Sequence, residues 1–202
     1  DCRIRFLLMF VGFKYGTSYQ KLDLPEKVAA PLHTDPPLSV DPEQFKSDLR
    51  SHLKNGNKYH KVGIIISDKT RLCQFPEYLP LLTDVLLEQD MQMENISFYI
   101  AYGTHPVQSE EECLNSYGEI YKQFRFVHHN SRDESSLVSL GTTSRGTEVK
   151  IHKELLEQDL LITFGAILHH YFAGFGGGRK LLFPGVAAYD SILHNHKLFL
   201  DF

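Results

Sequence analysis

Three short apolar segments constrain this chain more than any other feature. Residues 61–67 (KVGIIIS), 96–101 (ISFYIA) and 160–164 (LLITF) are near-continuous hydrophobic runs rich in β-branched and aromatic side chains. A half-solvated strand alternates apolar and polar residues, and these do not. Runs of this kind suit strands covered on both faces, the condition of a parallel sheet. Parallel strands need crossovers long enough to hold a helix, and the intervening sequence supplies them.

Asp41 before Pro42 and Glu43 places an N-cap ahead of a proline at the first helical position. This predicts a helix to about Leu53, stopped by Asn55-Gly56-Asn57. Residues 76–89 (PEYLPLLTDVLLEQ) show helical apolar spacing. Ser109 followed by Glu112 is a capping box that opens a helix to about Tyr117, with Glu110 and Glu111 favoured by the helix dipole. Residues 124–128 read as a further strand, 153–158 as a short helix, and 189–200 as a last helix. Residues 3–13 read as an amino-terminal strand, followed by a Tyr15-Gly16 turn and an irregular, proline-bearing stretch. Residues 130–148 read as polar turns marked by Gly141 and Gly146. Strand–helix alternation predicts an α/β fold, a mainly parallel sheet with helices on both faces, Rossmann-like, in a single domain over residues 1–202. The absence of an initiator Met and the abrupt stop at Phe202 suggest a fragment.

Composition excludes several classes. The net charge of -4 gives nucleic acid or an anionic membrane no electrostatic footing. No apolar run reaches the roughly 20 residues of a membrane span. The longest, residues 6–13, lacks the flanks of a signal peptide. Cys2, Cys73 and Cys113 are too few and too scattered for a disulfide framework or zinc ribbon, and suit a reducing cytoplasm.

The chemistry gathers after the strands, where open α/β sheets bind ligands. The first run leads into Asp68-Lys69-Thr70-Arg71, the second into Tyr102-Gly103-Thr104-His105, and the third towards His169-His170-Tyr171. Next comes a glycine-rich stretch, AGFGGGRK at 173–180, in which Gly176 and Gly177 let backbone approach a ligand and clustered amides can face an anion. A flexible surface loop is the plain alternative. The stretch is no Walker A loop, because Arg179 stands where the second glycine belongs and Leu181 where Ser or Thr would bind magnesium. On the last helix His194 and His196 are two apart, so one at most faces a given site. His33, His52, His60 and His152 lie in polar contexts and read as solvated; His128 and His129 end a strand within reach of a cleft.

The ordered set SDKTR (67–71), GTH (103–105), HYFAGFGGGRK (170–180), PG (184–185) and NH (195–196) resembles the nickel-dependent lactate racemase family. The resemblance runs from the Tyr15-Gly16 turn to His196. It implies a nickel-pincer nucleotide, a pyridinium-derived cofactor, tethered covalently through Lys180. It further implies His196 as the nickel ligand, His105 and His170 as acid and base, Arg71 on the substrate carboxylate, and Asp68 in the cofactor site. The implied partners are a small 2-hydroxy acid and cofactor-making enzymes. Such residue types fit the implied reaction. Hydride removal from carbon 2 gives a flat 2-keto acid, and return to the other face inverts the centre. Each enantiomer offers its hydroxyl on an opposite side, so two bases are required, and imidazole titrates near neutral pH. Guanidinium matches carboxylate in bidentate fashion.

Where the family commonly has proline before the catalytic histidine, this chain has His169; alternation along an extended segment would turn it away. The family's second domain, which closes the cleft, is not in this sequence. Two other functions stand beside the racemase: a relative using the fold for another hydride-transfer or metal-dependent step, and a nucleotide-binding or scaffold domain without turnover.

Overall fold

The structure, a computed structural model, describes residues 8–15, 18–25, 40–54, 58–71, 73–170 and 173–200. They fall in two compact units, 1–39 and 40–202.

In the first unit, strand β1 (Leu8–Tyr15) pairs antiparallel with β2 (Ser18–Pro25), from Tyr15 opposite Ser18 to Leu8 opposite Pro25. The sequence predicted the first strand but an irregular segment after it. The second strand, SYQKLDLP, contains no β-branched residue and ends on proline, so propensity hid it. Residues 1–7, Gly16 and His33 lie outside the described residues.

The second unit is built on a four-stranded parallel sheet. Its strands are β3 (Val62–Ser67), β4 (Ile96–Ala101), β5 (Arg125–His128) and β8 (Leu160–Phe164), in spatial order β5-β4-β3-β8. Between β5 and β8, strands β6 (Leu137–Thr142) and β7 (Glu148–His152) form an antiparallel pair, where the sequence suggested only polar turns. Leu137, Val138, Val149 and Ile151 flank the Thr143–Gly146 turn, but the Gly141 irregularity breaks the alternation that would have revealed a hairpin.

Alternation in β3 and β4 divides the core. Val62, Ile64, Ile66, Ile96, Phe98 and Ile100 face one way, against α2 (Phe75–Leu87) and α3 (Glu110–Tyr117). Phe45, Leu49 and Leu53 of α1 (Pro42–Leu53) pack on the same cluster. Ile65 and Tyr99 face the other way, against Ile151, Leu155, Leu181 and Val186. Helices thus cover both faces, but the second is covered by a 3-10 turn (Lys153–Glu157), a one-turn helix and part of β7. The predicted caps are in place: Asp41 accepts from the Gln44 amide at 2.8 Å, and the Ser109–Glu112 box closes at 2.9 and 3.2 Å. A short helix α4 (Ile120–Gln123) precedes β5.

Two histidines correct their solvated or cleft-facing assignment. His152 is 5% exposed and His129 1% exposed, with rings 5.9 Å apart on the second face. Burial holds His152 below its ordinary value and pushes His129 down to about 4. The unfolded chain takes up protons near pH 6.5 that the folded chain refuses until about pH 4. Stability is therefore full above pH 6.5 and declines as pH falls towards 4, by about 3 kcal/mol for His129 alone. Urea unfolding midpoints should drop between pH 7 and 5, above the range where carboxylates titrate; a flat profile there would contradict the burial.

Candidate active site

The parallel register sets the site. Val62 lies opposite Ile96 on one side and Leu160 on the other, so Ser67 and Ala101 end level at one sheet edge and Phe164 ends one residue short of them. The chain runs from β3 outward to β4 and β5, then returns to β8 on the far side of β3. Such a reversal parts the loops on either side and leaves a crevice.

A cavity of about 390 Å³ opens there. Asp68, Arg71, His105, His170, Gly176, Gly177, Lys180 and His196 all line it. Four separate stretches of chain deliver them: the loop after β3, the loop after β4, the segment from β8 to α5 (Arg179–Leu182), and α6 (Tyr189–Lys197). Between β8 and α5, the two-residue strands β9 (His169–His170) and β10 (Gly174–Phe175) pair antiparallel. His169 also lines the cavity, its ring 4.9 Å from that of Phe175. The expected alternation fails because β9 is too short and too close to the rim to turn one side away. His194 behaves as helical spacing requires: its Nδ1 lies 3.0 Å from Thr147 Oγ1, while His196 takes the cavity. His128 does not line the cavity, being held between the Tyr102 and Tyr121 hydroxyls at 2.8 and 3.1 Å.

Asp68 is 3% exposed. Its Oδ1 accepts from the Thr70 amide and hydroxyl at 3.0 and 2.6 Å, and its Oδ2 accepts from His105 Nδ1 at 2.6 Å. In a neutral ring this bond puts the proton on Nδ1 and leaves Nε2 with its lone pair. Residues invisible to motif reasoning hold this pair. Gln108, 5% exposed, accepts from the Lys69 amide at 2.9 Å, and the buried Tyr117 hydroxyl lies 3.1 Å from Gln108 Oε1 and 3.0 Å from Ser67 O. Gln108 sits in an exposed-looking stretch before a helix cap, and nothing in its neighbours signals a staple between two loops.

The positive groups sense one another. Burial, then Lys180, Arg71 and His196, hold His170 below its ordinary value. Burial and then Arg71 lower Lys180; burial and then Lys180 lower His196. Each shift favours the neutral form, with a lone pair available. Of the adjacent cations only Lys180 is half-buried and on the cavity, while Arg179 is exposed.

Two glycines close the backbone tightly. Gly177 has φ +76°, and a Cβ there would stand 2.4 Å from Ala166 O. A Cβ on Gly185 would stand 2.2 Å from Leu181 O and 2.8 Å from Ala101 Cβ. Gly185→Ala should therefore cost about 1–3 kcal/mol by overpacking, read as a lowered thermal midpoint. A change within experimental error would show that the turn has room.

These residues fit a tethered nucleotide with a protein-ligated metal. Lys180 offers a primary amine whose charged form burial and Arg71 disfavour, His196 an imidazole, and residues 176–177 a close backbone wall. Among the described residues no three His, Cys, Asp or Glu side chains converge on a metal position.

Fold and cavity define a parallel α/β domain with a histidine-lined cavity at its switch point. The chain belongs to the family of the lactate racemase N-terminal domain, whose model matches residues 15–201. It is 39% identical over 154 residues to a lactate racemase of Lactiplantibacillus plantarum, covering 74% of this chain and 35% of that one. A lactate racemase of Thermoanaerobacterium thermosaccharolyticum is 37% identical over 145 residues, 71% of this chain and 33% of that one. The chain thus spans about a third of these relatives' length. The lactate racemase apoprotein structure from T. thermosaccharolyticum superposes with a TM-score of 0.71 at 30% identity, covering 93% of this chain and 46% of that one. A Thermotoga maritima protein shares the fold, with a TM-score of 0.62 at 22% identity over 76% of this chain and 42% of its own. Among the described residues no helix is long and apolar enough to cross a membrane.

Proposed function

We propose that this chain is the amino-terminal catalytic domain of a 2-hydroxy-acid racemase or epimerase, a nickel-dependent isomerase of the cytoplasm. The convergence of Asp68, Arg71, His105, His170, Lys180 and His196 on one cavity carries the proposal. A nickel-pincer nucleotide, when bound, supplies a reversible acceptor for the hydride of substrate carbon 2. Lys180 would hold it covalently through its amine and His196 would ligate nickel. Asp68, Gly176 and Gly177 would line its site.

This chain's own residues do the rest. Arg71 binds the substrate carboxylate and fixes the plane of carbon 2. His105, its Nδ1–H held by Asp68, takes the hydroxyl proton of one enantiomer at Nε2. His170, its charged form disfavoured by burial and by its cationic neighbours, takes the proton from the opposite enantiomer. Inversion pairs the two: one imidazole takes the hydroxyl proton, and the other, charged with a proton from solvent, gives it to the keto oxygen as the opposite alcohol forms, so one proton is taken and one given per turnover. Family membership supports the class of reaction. Cofactor-making enzymes are the implied partners.

A screen for inversion of 2-hydroxy acids by full-length protein, made alongside cofactor-making enzymes, tests this function. Inversion of at least one acid in both directions is expected. Full loading with adduct and nickel but no inversion of any acid would favour the binding-domain alternative.

A further inference from the structure

Strand β7 and the segment after β5 take no part in the proposed chemistry, yet both converge on one stretch of backbone, residues 184–188. Gly185 O accepts from the Gly103 amide at 2.8 Å, which ties the stretch to the loop of His105. The Gly185 amide donates to Lys180 O at 2.9 Å and the Val186 amide to Leu182 O at 3.3 Å, which ties it to α5. Val186 O accepts from the His152 amide at 3.0 Å, and the Ala188 amide donates to Lys150 O at 2.9 Å. Helix α6, which carries His196, begins at the next residue. One short stretch therefore touches the carriers of His105, Lys180 and His196.

A side chain joins these backbone bonds. His129 Nε2 donates to Ala187 O at 3.0 Å. The ring is 1% exposed, and its Nδ1 has no hydrogen-bond partner among the described residues. Burying an unpaired ring nitrogen costs stability, so a residue needed for packing alone would be better replaced by leucine or phenylalanine. The hydrogen bond to Ala187 is what an apolar side chain cannot supply.

We propose that His129 is a positioning residue: by holding the Ala187 carbonyl it fixes residues 184–188 and so sets the cavity positions of His105, Lys180 and His196 relative to one another. Its consequence for turnover rests on the racemase proposal, but the placement itself does not.

Amide hydrogen exchange on the chain without cofactor tests this, so its failure is distinct from a failure of racemisation. His129→Leu keeps the apolar volume and removes the donor. His129→Gln keeps an amide N–H at the position of Nε2, and His129→Asn offers one a bond short. In His129→Leu the Gly103, His152 and Ala188 amides should exchange about 10- to 100-fold faster, the range that loss of a buried hydrogen bond carries, while Ile64 and Phe98 stay unchanged. His129→Gln should restore protection to within about threefold. An unchanged Gly103 amide in His129→Leu, an equal acceleration of every amide, or a His129→Gln variant as fast as His129→Leu would each overturn the proposal. If His129→Leu does not fold, the two amide variants decide. Slow exchange at Gly103 in His129→Gln with fast exchange in His129→Asn supports the proposal, and equal rates in the two overturn it.

Discussion

Alanine at either His105 or His170 is expected to abolish steady-state racemisation by the loaded full-length protein. General acid–base assistance contributes roughly 10²- to 10⁴-fold, or about 3–5 kcal/mol of barrier, and inversion needs a base on each side of the substrate. Each single variant keeps one base. It should therefore still form keto acid in a single turnover from one pure enantiomer, and the two variants should choose opposite enantiomers. His105 sits on a buried carboxylate that orients it. Burial and then Lys180, Arg71 and His196 hold His170 below its ordinary value. His169 is the needed control, since it lines the same cavity. His169→Ala should keep racemisation. A dead His169→Ala with near-normal His170→Ala would move the second base by one residue.

Lys180→Ala should remove covalent attachment altogether, because no amine remains at that position on the cavity wall. The neighbouring Arg179 is exposed and its guanidinium cannot replace a primary amine. His196→Ala should leave the tether intact and reduce nickel per chain, since it removes a ligand and not the link. Intact mass and metal content separate the two effects. An adduct of normal mass on Lys180→Ala would refute the tether, and unchanged nickel in His196→Ala would refute the ligand.

The sheet was legible because β3 and β4 are buried on both faces, which writes them as KVGIIIS and ISFYIA; LLITF reads the same way, but β8 is an edge strand whose Leu161 and Thr163 are exposed, so its double cover was not borne out. Helix starts were legible at Asp41-Pro42 and at Ser109–Glu112, where capping demands particular side chains. Strands β2 and β6 were not legible: β2 lacks β-branched residues, and the irregularity at Gly141 interrupts the pattern of β6. The cavity-lining residues were legible as motifs because they directly follow strands or crowd with glycine. What holds them was not. Gln108, Tyr117 and His129 act through hydrogen bonds to segments 39 to 58 residues away, and local sequence carries no trace of such a partner. His152 likewise sits among Lys150, Lys153 and Glu154, a polar context that concealed a buried ring.

The central claim is that one cavity holds a nickel-bearing nucleotide on Lys180. Peptide-level mass spectrometry with metal analysis, on unmodified full-length protein made alongside cofactor-making enzymes, tests it most directly. The expected result is a nucleotide-sized adduct on Lys180 with nickel in matching amount. Protein made under the same conditions with Lys180 unmodified and nickel absent, yet inverting a 2-hydroxy acid, would contradict it.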